Sequence, residues 1–134
     1  MRRYLFDTGV ASNFVQRREQ VFEKAKSEIA NGNRIGICVP VLGELFFGIE
    51  LSTAKDQNRQ RLHRALSTLT IWPFSEVAAA EFGRIAATLK RIGRPMQQID
   101  IQIAAIAMTL GNCTVVTGDS DLCAVPGLSL ANWA

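Results

Sequence analysis

Four acidic residues stand at comparable points of this chain: Asp7, Glu44, Asp100 and Asp119. Asp7 follows the apolar run Tyr4-Leu5-Phe6, and Asp119 follows Cys113-Thr114-Val115-Val116-Thr117 after a single glycine, so each would leave the end of a short buried strand. Glu44 and Asp100 fall near the starts of predicted helices. Glu44 shares its stripe with Val41, Gly48 and Leu51, and Asp100 shares its own with Ile103, Ala104 and Ala107. A carboxylate on a core-facing stripe is costly unless something pairs with it. Four carboxylates brought to one edge also raise each other's pKa. A hard divalent cation, Mg²⁺ or Mn²⁺, resolves both conflicts, because it takes oxygen ligands and keeps waters for chemistry. Such a centre suits phosphodiester hydrolysis, with the cation activating water and offsetting charge in the transition state. Two of the acids also have plainer readings: Asp7 as a helix cap, and Glu44 as an acid that favours a helix N-terminus.

Other chemistries find little support. His63 is the one histidine, and no glycine-rich phosphate loop precedes a helix, so nucleophilic triads and nucleotide-binding motifs are poorly served. Cys38, Cys113 and Cys123 form no close pair and read as free, buried thiols of a reducing cytoplasm. A hydrophobic fraction of 48% against 20% charged residues excludes a disordered chain, and 134 residues predict a single domain, 1–134, with a core of its own. No apolar stretch reaches bilayer length and no secretion signal is visible, so the expected location is the cytoplasm. The net charge of +3 permits contact with nucleic acid without establishing it.

The elements that would position the acids alternate strand and helix at short spacing, which predicts a parallel sheet covered on both faces. A short helical turn over 10–14 precedes a helix over 16–30, ended by Asn31-Gly32-Asn33. A strand over 35–39 leads through Pro40 into a helix over 41–51. A polar helix over 55–69 carries Arg59, Arg61 and Arg64, which are weak phosphate-contact candidates, and His63, read as a surface residue. Residues 71–74 form a short strand placed at an edge by Pro73, and Ser75 caps the following helix. That helix ends in the basic loop holding Arg91 and Arg94, which are the stronger candidates for phosphate contact. A helix over 99–110, a strand over 113–117 and a short strand over 128–130 complete the order.

The ordered set of motifs resembles one family along essentially the whole chain. Tyr4-Leu5-Phe6-Asp7-Thr8, then Val41-Leu42-Gly43-Glu44-Leu45 with Gly48, is similar to the opening of PIN-domain ribonucleases. Arg91-Ile92-Gly93-Arg94-Pro95 through Ile99-Asp100 and Ile103-Ala104-Ala105 resembles that family's central segment. Val116-Thr117-Gly118-Asp119-Ser120-Asp121-Leu122, with Val125-Pro126-Gly127-Leu128 and Asn132-Trp133, resembles the C-terminal part of VapC-type toxins. The resemblance implies a three-layer α/β/α PIN-like domain with a central parallel sheet. It also implies a Mg²⁺- or Mn²⁺-dependent endoribonuclease that is the toxin of a type II toxin–antitoxin pair. Such toxins form homodimers, are neutralised by a VapB-type antitoxin and meet operator DNA only through it. The positions that match the family's site are Asp7, Glu44, Asp100 and Asp119. Asp7, Asp100 and Asp119 would be metal ligands, with Asp121 as the alternative to Asp119, and Thr8 would hydrogen-bond beside them. An antitoxin helix would lie on Phe46 and Phe47, residues that core packing would explain equally well.

Two positions depart from the family pattern: Gly9 stands where asparagine is common, and Leu122 where phenylalanine is usual. Rival aspartate-based sites fit less well. A haloacid-dehalogenase-type phosphatase wants a second Asp at the place of Gly9, and a receiver domain wants an acidic pair where Arg2 and Arg3 stand. A catalytically impaired PIN-fold module whose acids bind a partner is the alternative reading.

Overall fold

Strands buried on both faces read as unbroken apolar runs, and the strands of this chain follow that rule according to their place in the sheet. The computed structural model describes residues 1–133. β1 (Arg3–Phe6), β2 (Arg34–Cys38) and β4 (Cys113–Val116) are the most apolar and lie at the centre. β3 (Thr70–Trp72) and β5 (Ser129–Ala131), shorter and partly exposed, are the edges of a sheet ordered β3-β2-β1-β4-β5. Every pairing is parallel, with Tyr4 beside Ile35 on one side of β1 and Phe6 beside Val116 on the other.

Six helices connect and cover the strands: α1 (Thr8–Val15), α2 (Glu19–Ala30), α3 (Val39–Leu51), α4 (Lys55–Leu66), α5 (Glu76–Arg91) and α6 (Gln98–Leu110). α1 to α4 pack among themselves and α5 packs along α6, which gives the three-layer α/β arrangement with its parallel sheet in the middle. Local chemistry sets several boundaries. Ser75 accepts a hydrogen bond from the Ala78 N–H at 3.2 Å and starts α5, while Pro40 sits in the first turn of α3, where its missing N–H is not needed. α2 begins three residues later than its periodicity predicts, because Arg17 takes a left-handed conformation (φ 56°) and separates it from α1. α4 stops at Leu66, not at residue 69. The Ser67 and Thr68 hydroxyls donate back to the Arg64 and Ala65 carbonyls, and Leu69 then turns into the core.

Leu5, Phe6, Ile37, Val115 and Val116 of the sheet, with Ile103 and Ile106 of α6, are fully buried or nearly so. Leu122 is fully buried too, so it keeps a packing role at the position where phenylalanine is usual. The Trp133 ring lies 5.1 Å from that of Tyr4 and 5.6 Å from that of Phe6, and ties the end of the described chain to β1. Gly36 is a close-approach residue: a Cβ there would stand 2.2 Å from the Thr70 carbonyl oxygen and 2.6 Å from the Trp72 ring. Of the thiols, Cys38 is buried, Cys113 half-buried and Cys123 exposed, so the expectation of three buried thiols holds fully only for Cys38. Burial pushes the Cys38 and Cys113 thiols up to about 11, which keeps them protonated and inert. Among the described residues no helix is long and apolar enough to cross a membrane.

The chain order matters for the site. From β1 the chain steps to β2 and then β3 on one side, and it returns across the sheet to place β4 and β5 on the other. The order therefore reverses between β1 and β4. In open parallel sheets the crevice beyond the carboxyl ends of the strands at such a point is where ligands bind.

Candidate active site

The residues that leave the carboxyl ends of β1 and β4 are Asp7 and Thr117. The register that sets Phe6 beside Val116 sets these two beside each other. The Asp7 carboxylate is held from both sides. Its Oδ1 accepts from the Val10 N–H at 2.8 Å, and its Oδ2 accepts from the Thr117 hydroxyl at 2.5 Å. Asp7 is thus the cap of α1 and a member of the crevice at once, and the two readings of the sequence are not exclusive. Thr117 Oγ1 in turn accepts from the Asp119 N–H at 2.9 Å, and Asp119 Oδ1 accepts from the Asp121 N–H at 2.9 Å, capping the 3₁₀ turn Ser120–Ala124. A chain of hydrogen bonds therefore fixes Asp7, Thr117 and Asp119 to one another.

Glu44 and Asp100 reach the crevice from helices. α3 packs against both α1 and α6, which brings the second turn of one helix and the first turn of the other toward the same edge. Asp100 is half-buried, and its carboxyl pKa is raised by that burial first, then by the charges of Asp119, Asp7, Asp121 and Glu44 in that order. The other three acids singled out in the sequence therefore all act on Asp100, together with Asp121. Asp119 presses on Asp100 more strongly than Asp121 does. The stripe assigned to Glu44 needs correcting: Val41 is buried, but Gly48 is exposed and Leu51 is 71% exposed. α3 buries Val41 and Ile49, and Glu44 sits beside that face at the wall of a groove.

No lysine or arginine forms an ion pair with any of these five acids among the described residues. Nor do the described residues present three or more His, Cys, Asp or Glu side chains placed to hold an ion as they stand. The donor set is all carboxylate oxygen, which matches a hard divalent cation and no soft one. Hydrogen bonds hold the carboxylates of Asp7 and Asp119 in place, and the chemistry of the donor set fits such an ion.

The sequence profile described as the PIN domain matches residues 4–128. The chain belongs to the PIN-domain family. Across 97% of both chains it is 30% identical to "Ribonuclease VapC2" of Rickettsia felis. Over the full length of both chains it is 26% identical to "tRNA(fMet)-specific endonuclease VapC" of Shigella flexneri. The crystal structure of VapBC2 from Rickettsia felis bound to a DNA fragment from their promoter superposes with a TM-score of 0.92 and 28% identity, covering 98% of this chain and 99% of that one.

Within this PIN domain the remaining candidates separate clearly. Thr8, the first residue of α1, makes no hydrogen bond to the acids among the described residues; it lines the groove beside Glu44. The hydroxyl that holds Asp7 is that of Thr117, which the sequence did not single out. Its signal was its position at the end of β4, but only the register shows that this position faces Asp7. Arg91, the last residue of α5, and Arg94, on the α5–α6 connection, are exposed, and neither has an ion-pair partner among the described residues. Arg59 is engaged by Glu50 and Asp56 at 3.1 and 3.2 Å, while Arg64 and His63 lie on the surface. Phe46 and Phe47 are 43% and 62% exposed, so core packing does not explain them.

Proposed function

We propose that this PIN domain, acting as one domain over 1–134, is a Mg²⁺- or Mn²⁺-dependent endoribonuclease and the toxin of a type II toxin–antitoxin pair. The observation that carries the reading is the crevice at the sheet's switch point, where Asp100 is pressed by four other carboxylates and no cationic side chain among the described residues pairs with them. Asp7, Asp100 and Asp119 would hold the metal, with Asp121 as the outer alternative to Asp119, and Glu44 would complete the site directly or through water. When bound, the ion supplies a Lewis acid that activates water and offsets charge on the phosphoryl group. The chain's own part is to orient. Thr117 and the Val10 N–H fix both oxygens of Asp7, and the Asp121 N–H fixes Asp119. Arg91 and Arg94 would meet phosphates of the RNA from the neighbouring connection. The relatives, named as ribonucleases and found in VapBC complexes, support RNA as substrate and a VapB-type antitoxin as partner. A homodimer that meets operator DNA only through the antitoxin, in the cytoplasm, belongs to the same reading.

The test is cleavage of total cellular RNA by purified protein with Mg²⁺ or Mn²⁺, with EDTA, and with Asp7→Asn. Discrete cleavage sites that vanish with EDTA and with the substitution are expected. Cleavage indifferent to both would sink the metal mechanism. No cleavage of any RNA would leave the acidic cluster as a partner-binding feature of an impaired enzyme.

A further inference from the structure

Beside Glu44 a groove of about 370 Å³ opens between α1, α3 and α4, within the size range of small-ligand sites. Thr8 and Glu44 form the end nearest the acids. Leu45 and Leu62 belong to its apolar lining, and Gln16, Asn58 and Arg61 are polar residues of its wall. Arg61 is the cation of this lining. It is half-buried, it has no carboxylate within ion-pairing distance among the described residues, and its hydrogen bond to the neutral Asn58 Oδ1 is long, at 3.4 Å. Two residues away, Arg59 is taken up by Glu50 and Asp56. Beyond the long bond to Asn58, this half-buried guanidinium has no anionic partner among the described residues, and its planar fork matches a phosphate. A second groove is lined by Asp7, Gly9, Asn13, Asp119 and Ser120, and among the described residues its lining contains no cation.

Resting on the ribonuclease reading, we propose that the α1/α3/α4 groove is the subsite for one unpaired nucleotide next to the scissile phosphate of RNA. Arg61 holds that nucleotide's outer phosphate. Gln16 and Asn58 meet the base edge, and the base packs on the apolar lining. Proteins read RNA sequence on such splayed-out bases by apolar contact and edge hydrogen bonds. The charge of Arg61 distinguishes this groove from the second, so the anchored end of the strand lies on the Arg61 side.

The experiment compares wild type, Arg61→Gln, Arg61→Lys and the control Arg84→Ala, whose residue is exposed on α5 and paired with Glu81. The substrate is a short unstructured RNA of mixed sequence. Arg61→Gln removes the charge and the guanidinium fork while keeping a polar side chain. It is expected to raise KM about tenfold with kcat within about twofold, the loss of one charge-assisted contact. Arg61→Lys should recover part of that loss, and the control should match wild type. In an Asp7→Asn background, RNA binding by anisotropy should lose about 0.7 from its log Kd–log salt slope when Arg61 becomes Gln, the mark of one phosphate contact fewer. Asn58→Ala should relax base preference at one position beside the mapped cut. An unchanged KM and salt slope in folded Arg61→Gln overturns the subsite while cleavage by wild type leaves the enzyme reading standing. The subsite is equally overturned if Arg61→Gln weakens only antitoxin binding. A wild-type protein that neither binds nor cuts RNA removes both.

Discussion

Thr117 links the two strand-end acids, because one hydroxyl donates to Asp7 Oδ2 and accepts from the Asp119 N–H. Thr117→Val keeps the shape and removes both bonds. Cleavage should fall about 10- to 100-fold, as when a group that orients a metal ligand is lost, with a higher Mg²⁺ midpoint. Thr117→Ser should retain most activity, and equal loss in both variants would mean that packing, not the hydroxyl, matters. Asp100 offers the pH-dependent case. Its folded-state pKa lies above its unfolded value, so the native chain keeps this proton to higher pH. The metal-free fold is therefore free of the charge's cost below the ordinary carboxylate range and loses stability as pH rises through the raised pKa. Asp100→Asn removes that cost. In EDTA above this window the variant should melt about 3 °C higher than wild type, with the gap closing in acid and cleavage abolished. Melting curves across pH check this, and a variant that melts lower at every pH would show Asp100 to be a structural residue instead.

At the scale of elements, close contact of strands sets the geometry on which those side chains depend. Gly36 lets β3 approach β2, since a Cβ would fall 2.2 Å from the Thr70 carbonyl oxygen. Gly36→Ala should cost about 3 kcal/mol, measured by urea unfolding, because backbone would have to move. A change below about 0.5 kcal/mol would mean that β3 yields freely. Most elements were legible in the sequence, since each strand is a short apolar run and each helix carries a clear stripe or cap. Helix ends were less so where a hydroxyl or a left-handed residue intervenes, as at Thr68 and Arg17. Asp7, Glu44, Asp100 and Asp119 were legible as a set because each sits near a strand end or a helix start. Thr117 and the groove of Arg61 were not, because they arise from strand register and from the packing of α1, α3 and α4, which no local pattern encodes.

At the scale of the whole molecule, α3 carries both a site carboxylate and a run of exposed apolar side chains. Glu44 faces the crevice and groove, while Val39, Phe46, Phe47 and Leu51 leave 43–71% of their surface exposed. Exposed aromatic and aliphatic side chains clustered on one helix mark an interaction surface more often than chance exposure. In the proposed reading an antitoxin helix lies on Phe46 and Phe47, and it can block the crevice without using any of its acids. Phe47→Asp tests whether this apolar surface acts independently of the acids. A buried aromatic anchor at the centre of an interface contributes about 2 kcal/mol or more, so the Kd for the cognate antitoxin should rise about 30-fold or more by titration calorimetry. RNA cleavage without antitoxin should stay within about twofold of wild type, because Phe47 is absent from the groove lining and from the acids' surroundings. A Kd within twofold of wild type would move the antitoxin to another face. Loss of self-association instead, read by light scattering, would assign this side of α3 to the homodimer.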